Sequence, residues 1–290
     1  MGMVRCYEFA GLRFAVEVPD AMKMEYGGAL DAFETAQTDV AHRFIFRMVT
    51  QLLPPEGSCL QSEPALRVYR NADATVRYIG AVSESWENAY IRAEERGNAH
   101  HVQLKASAFP AGVGRKTILN SLGVAHLIAQ NGGFVFHSSY IAVGGKAVLF
   151  TAPSGTGKST QAALWEQYRA AEVINGDRSA VRWVEEQAFA CGIPFAGSSN
   201  ICKNVTLPLG AIVYLKQAPQ NQLRRLRGAE AFRRIWEGCS VNTWDKADVA
   251  AVSETVQQVV CAVPVYELAC TADEQAVKIL EEALRQEGIL

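Results

Sequence analysis

The residues with the clearest chemical use lie in one stretch, Ala152-Pro-Ser-Gly-Thr-Gly-Lys158-Ser159-Thr160. It follows an apolar run, Ala147-Val-Leu-Phe150, and precedes Gln161-Ala-Ala-Leu-Trp165, which reads as the beginning of a helix. A strand, a Gly-containing loop and a helix in that order make a Walker A phosphate cradle. Backbone N–H groups must converge on phosphate oxygens there, and side chains would block them, so Gly155 and Gly157 suit the loop. Lys158 is placed to reach the β- and γ-phosphates, and the Ser159 hydroxyl to ligate Mg²⁺. The helix start adds free N–H groups and the positive end of its dipole. The expected phosphate contacts are therefore Ser154, Gly155, Thr156, Gly157, Lys158, Ser159 and Thr160. Ala152 stands where this pattern usually opens with Gly, a mild departure if the local φ is negative. A Gly-rich turn that binds nothing is the bland alternative, and Gly-Lys-Ser between a strand and a helix argues against it.

Two further side chains are expected at the same place. Glu172-Val-Ile-Asn-Gly-Asp177-Arg178 reads as a short strand ending in a carboxylate, the next strand of the chain after the loop's helix. Neighbouring strand ends converge at one edge of a sheet, where Asp177 would serve as metal ligand or base. With Asn175 and Gly176 beside it, Asp177 also has the composition of a plain turn. Phe134–Val143 and Lys146–Thr151 are β-runs separated by Gly144-Gly145, a two-residue hairpin signal. Pairing Val143 with Lys146 and counting back sets His137 opposite Ala152, at the mouth of the loop. A lone His is usually structural; this register gives His137 an equal claim to the site.

The elements that must carry these residues follow from periodicity. His42–Met48 alternates Phe44, Phe46 and Met48 against Arg43 and Arg47, the signature of a half-buried strand. Leu66–Arg70 with Thr75–Ile79, and Tyr90–Ala93 with His101–Lys105, read as hairpins, and a short helix is placed at Ala29–Gln37. Ala111-Gly-Val-Gly114 marks a joint. Lys116–Gln130 carries apolar residues at helical spacing up to Asn131-Gly-Gly133. Beyond the loop, a helix over Ser159–Ala170 leads to the Asp177 strand and then a hairpin over Ser179–Val184 and Ala188–Pro194. The Gly/Ser-rich Phe195–Asn200 reads as a substrate loop or a plain connection. A buried strand over Leu209–Lys216, helices at Ala229–Trp236 and Ala247–Ala262 and a strand at Val263–Ala269 complete the order. Thr271-Ala-Asp-Glu274 reads as a capping box opening a last helix that runs to about Gln286.

Composition narrows the function classes. The chain has 290 residues, 49% hydrophobic and 20% charged, with a net charge of −2, so no global basic field points to nucleic acid or an acidic membrane. The short basic cluster Arg224, Arg225 and Arg227 reads as a solvated face. No apolar run approaches the roughly 20 residues of a membrane span. The first residues hold no signal-peptide core, and the seven scattered cysteines lack any Cys-x-x-Cys pair. A cytoplasmic chain with reduced thiols is expected.

With these residues laid out, the C-terminal two-thirds resembles the HPr kinase/phosphorylase and phosphoenolpyruvate carboxykinase superfamily. The resemblance rests on His137-Ser-Ser-Tyr-Ile-Ala-Val143, on Ala152–Thr160 and on Gly176-Asp177-Arg178. In HPr kinases a His-containing strand leads through a hairpin into the Walker A loop, and an Asp-Asp-Arg segment follows one helix later. This chain has one acidic residue where that family has two, so Asp177 stands as base or metal ligand and the resemblance does not extend to the reverse phosphorylase activity. The N-terminal part does not match the HPr kinase N-terminal domain, so HPr is a poor candidate substrate. The resemblance implies an α/β (α+β) fold: a P-loop core of mixed sheet with flanking helices over 113–290, preceded by a β-rich domain over 1–112. It implies an ATP- and Mg²⁺-dependent kinase acting on a hydroxyl, either Ser of a peptide or protein or a small metabolite. Asp177, His137 and Lys158 would be catalytic, with Ser159 and Asp177 on the metal. A homo-oligomer is open, since family members often assemble. The rival readings are a non-catalytic ATP-binding accessory protein and, less favoured, a carboxykinase-like enzyme.

Overall fold

In a computed structural model the protein is described over residues 3–19, 29–110 and 112–290, so Ala111 of the expected joint lies outside the described residues. The chain divides into two compact units, Met1–Val124 and Ala125–Leu290. The described residues form a mixed α/β structure with two nine-stranded sheets and six α-helices.

The first unit holds β1 (Met3–Phe9), β2 (Leu12–Val18), β3 (Glu34–Thr35), β4 (His42–Val49), β5 (Ser58–Glu63), β6 (Leu66–Arg70), β7 (Thr75–Gly80), β8 (Ala89–Arg96) and β9 (Ala99–Lys105). They form one sheet in the order β3-β1-β2-β4-β9-β8-β7-β6-β5. Phe44 and Phe46 of β4 are buried while Arg43 and Arg47 are exposed, as period-2 alternation requires. Aromatic edges knit the core, with Phe14 5.5 Å from Phe9 and 5.6 Å from Phe44, centroid to centroid. The turn between β6 and β7 closes on Asn71, whose Oδ1 accepts from the N–H groups of Asp73 (2.9 Å) and Ala74 (2.8 Å).

Two expectations up to residue 130 need correction. The helix placed at Ala29–Gln37 is only a 3₁₀ turn, Ala29–Phe33, because Glu34 and Thr35 extend to pair with β1. The single helix expected over Lys116–Gln130 is broken into α1 (Arg115–Ser121) and α2 (Val124–Ala129). Gly123 takes φ +68° at the break, and a Cβ there would lie 2.7 Å from the Arg77 guanidinium. Arg77 is buried and donates from Nη2 to Ser121 O (2.9 Å), capping the end of α1.

The second unit holds β10 (Gly133–Val143), β11 (Lys146–Thr151), β12 (Glu172–Asn175), β13 (Arg178–Val184), β14 (Gln187–Gly192), β15 (Thr206–Gln217), β16 (Gln222–Leu226), β17 (Cys239–Ser240) and β18 (Val265–Cys270). Its helices are α3 (Lys158–Arg169), α4 (Gly228–Trp236), α5 (Lys246–Ala262) and α6 (Glu274–Gln286). The pairings return on themselves, from β10 through β13, β14, β15 and β11 back to β10. The long strand β10 makes this possible by changing partners. Its first half pairs with β13 and β17, and its second half with β11 and β12. Helices α3 and α6 pack one side through Trp165, Leu280 and Leu284, and α4 and α5 pack the other through Ile235, Val252 and Val256.

Three details differ from the sequence expectation. Arg224 and Arg225 do not form a bare solvated face: they lie on β16, with Arg224 paired to Glu230 (2.7 Å) and Glu267 (2.9 Å) and Arg225 paired to Glu287. The N-cap of α6 is Asp273, whose Oδ1 accepts from Ala276 N (3.0 Å), and Thr271 donates to Asp273 (2.6 Å) rather than capping the helix. The strand before Asp177 ends at Asn175, so Asp177 belongs to the turn that follows. No helix of the described residues is long and apolar enough to cross a membrane.

Candidate active site

Strand β11 delivers the chain into Ala152–Gly157, and α3 begins at Lys158. Gly155 (φ +79°) and Gly157 (φ +114°) take conformations that side chains resist, and a Cβ at Gly155 would meet nothing within 4 Å. Open space therefore lies over the loop's backbone at Gly155. Ala152 is not among the residues of positive φ, so replacing the customary Gly carries no strain. Lys158 is buried, and its Nζ donates to the loop's own carbonyls, Ala152 O (3.0 Å) and Pro153 O (3.4 Å). Burial lowers its pKa, with the nearby Asp177 charge opposing.

The Gly144-Gly145 turn has φ +57° and +73°, and Val143 pairs with Lys146, as the two-glycine hairpin requires. The register continues to Ser138 opposite Thr151, one residue short of His137 and Ala152. His137 thus sits where β10 leaves β11 and takes up β13 opposite Arg178. Its backbone is fixed from both sides: its N–H donates to Gly238 O (2.8 Å) and its carbonyl accepts from Thr151 Oγ1 (3.0 Å).

Asp177 is positioned by a turn built on Asn175. The buried Asn175 side chain accepts at Oδ1 from Asp177 N and Arg178 N, both 3.0 Å, and donates from Nδ2 to Ile193 O (2.8 Å). Strand β12 pairs with β10 and not with β11, so β10 lies between the strand that enters the 152–157 loop and the strand that leads to Asp177. The Gly176 carbonyl locks the arrangement, accepting from Ser139 Oγ on β10 (3.1 Å) and from Ser159 Oγ at the start of α3 (3.2 Å). His137 Nε2 then stands 3.4 Å from Asp177 Oδ1, and Arg178 Nε 3.6 Å from Asp177 Oδ2. The His137 and Asp177 side chains are 35% and 34% exposed, so both remain reachable from solvent. Burial lowers the His137 pKa, and the charges of Lys158 and Arg178 lower it further against the pull of Asp177. These effects favour the neutral imidazole.

Beside the loop lies a cavity of about 570 Å³ lined by Gly155, Thr156, Gly157 and Thr160 on one wall. Gln217 and Thr271, at the C-terminal ends of the parallel strands β15 and β18, stand among the residues lining the other. Its volume falls within the roughly 300–1,000 Å³ of small-molecule sites. Gln161 lines it too, 3% exposed, with Nε2 on Cys270 Sγ (3.3 Å) and Oε1 buried without a partner among the described residues. Of the expected phosphate contacts, Gly155, Thr156, Gly157 and Thr160 line this cavity, Lys158 and Ser159 are the ones bonded to the carbonyls of Ala152 and Gly176, and Ser154 is exposed on the loop. Gln161, Gln217, Cys270 and Thr271 were not marked by sequence reasoning. The available signal was that the runs ending near Gln217 and Cys270 both finish in polar residues, where α/β sheets bind ligands.

No family model matches the chain, and no curated protein matches it. Among solved structures, it is similar to the Hpr(Ser) kinase/phosphatase from Coxiella burnetii, at 12% identity and a TM-score of 0.31, over 53% of this chain and 93% of that one. This is a distant likeness in structure.

Proposed function

We propose that the protein is a phosphotransferase that binds ATP and Mg²⁺ at the 152–160 loop and moves the γ-phosphoryl group to a hydroxyl. The acceptor class is Ser of a peptide or protein, or a small metabolite. The observation that carries this reading is the Gly176 carbonyl, which ties the Asp177 turn to the first turn of the phosphate-loop helix through Ser159. A carboxylate, an imidazole and a lysine are thereby gathered around one loop.

The residues suit the ligands. Positive-φ glycines leave the loop open, and a cavity of nucleoside size adjoins it. The Ser159 hydroxyl donates to Gly176 O, which leaves its oxygen lone pairs free for a cation, and Asp177 supplies a second hard oxygen. Mg²⁺, when bound, neutralises charge that builds on the β- and γ-phosphate oxygens. The acceptor oxygen forms its bond to the γ-phosphorus as the bond to the bridging oxygen breaks and ADP leaves. Asp177 takes the hydroxyl proton, His137 orients that carboxylate, and Lys158 with the loop amides stabilises charge on the transferred group.

Transfer of label from γ-³²P-ATP to serine-containing peptides and to small hydroxyl compounds tests the reading. Wild type should transfer and Lys158→Ala should not; equal transfer by both refutes it. The single carboxylate, with Arg178 beside it at 3.6 Å, favours a second reading, an ATP-binding accessory protein. Calorimetric titration with ATP and Mg²⁺ separates the two, since tight binding without transfer to any hydroxyl belongs to the second.

A further inference from the structure

The outer face of the first unit's sheet carries a site that the phosphate loop does not explain. Strands β4, β9 and β8 lie side by side, with Ile45 opposite His101 and Arg47 opposite Gln103, and with His101 and Gln103 opposite Glu94 and Arg92. These side chains and Arg96 line a cavity of about 270 Å³. Its lining includes an unusual feature for an open sheet face: Arg92 and Glu94 are each only 8% exposed. Glu94 bridges two guanidinium groups, Arg92 Nη1 (2.6 Å) through Oε2 and Arg96 Nε through Oε1. Arg92 Nε donates to Tyr78 Oη (3.2 Å), and Tyr78 Oη donates to Leu53 O (2.8 Å).

A buried ion pair adds little net stability, because desolvation offsets most of the attraction. What this pair does is hold an arginine fork still. With Nε and Nη1 engaged, Arg92 has Nη2 left without a hydrogen bond among the described residues, and Arg96 has both terminal amino groups left. Among the described residues Arg47 has no ion-pair partner, and it lines the same cavity. Three guanidinium groups against one carboxylate leave a local surplus of two positive charges in a chain whose net charge is −2. Planar guanidinium forks match phosphate oxygens in pairs, and a phosphate monoester carries roughly −1.5 to −2 near pH 7. One carboxylate would leave the surplus half neutralised.

We propose that Arg47, Arg92 and Arg96 form a binding site for a phosphate dianion, either free phosphate or the phosphate of a monoester. It stands apart from the kinase reading, and neither depends on the other. Calorimetric titration of the full chain with inorganic phosphate and with O-phosphoserine tests it and distinguishes the two sources; an oligoglutamate peptide serves as the competing anion. Saturable binding of a phosphate should persist in Lys158→Ala, which removes the phosphate-loop lysine. It should weaken at least tenfold in Arg47→Ala and in Arg96→Ala, whose exposed side chains can be removed without opening the core. Three results would overturn it: no phosphate binding beyond the loop, binding abolished by Lys158→Ala but untouched by the arginine variants, or oligoglutamate binding as tightly as phosphate.

Discussion

The placement of Asp177 can be disturbed from a residue that touches no nucleotide. Gly197 sits in a 3₁₀ turn at φ +57°, and a Cβ there would lie 2.6 Å from Asp177 Cβ and 2.8 Å from its Cγ. Carbon atoms in contact sit about 3.5–4.0 Å apart, so Gly197→Ala must push the carboxylate by roughly 1 Å. Left-handed backbone adds about 1–2 kcal/mol for an L-residue, whatever the space. Gly145→Ala supplies the control: Gly145 has φ +73° and nothing within 4 Å of its would-be Cβ, so it carries the strain without the collision. A misplacement of about 1 Å at a reacting group can cost on the order of a hundredfold in rate. Phosphoryl transfer should therefore fall about a hundredfold in Gly197→Ala relative to Gly145→Ala. ATP affinity, measured calorimetrically without Mg²⁺, should stay within about threefold, because the changed methyl faces the carboxylate and not the loop. Transfer rates within twofold of each other in the two variants would show that the position of Asp177 is irrelevant to turnover.

Other perturbations read separate parts of the same unit. The ring of His137, followed by NMR, should titrate below 6.5, lower still in Asp177→Asn and higher in Lys158→Ala, because Asp177 raises and Lys158 lowers its pKa. In sign, the unfolded chain takes up this proton first, so His137 lowers fold stability as pH drops below 6.5 towards the folded value; a His137 midpoint above 6.5 contradicts the cause given. Trp165→Ala empties a fully buried site between α3 and α6, and chemical denaturation should register a loss of about 3–5 kcal/mol. Asp248 is 1% exposed and accepts from Gln130 Nε2 (2.8 Å) and Asn242 Nδ2 (2.9 Å), with His126 Nδ1 at 2.8 Å. Asp248→Ala should lower unfolding free energy by about 3 kcal/mol or more, and a change under 1 kcal/mol would mean that these donors find other acceptors.

Local chemistry was the legible part of the sequence. Gly144-Gly145 and the flanking β-runs carry their own register, which is why the position of His137 relative to the loop could be counted from residue to residue. Glycine spacing and Lys158 likewise announce the loop from within one short stretch. What sequence did not yield depends on pairing between segments far apart in the chain. Gln217 and Cys270 share a cavity with Gly157 because β15 runs parallel to both β11 and β18, a fact that no local pattern contains. The apolar spacing of Lys116–Gln130 runs through Gly123, so periodicity alone carried past a break made by the left-handed glycine and the buried Arg77 beside it. Thr271 mimicked a cap because Asp273, two residues on, offers the same hydrogen-bond acceptor one turn-position better.

The resting contacts of Lys158 bear on which anions the loop will accept. Two of its three N–H donors are engaged by Ala152 O and Pro153 O, so an incoming anion would compete with two backbone carbonyls for one side chain. A singly charged anion offers little more than it displaces. A polyphosphate bound as proposed would draw on the loop amides and the lysine together, more than replacing the two carbonyls. On the proposed reading the lysine would act as an occupancy threshold, favouring multiply charged ligands over singly charged ones.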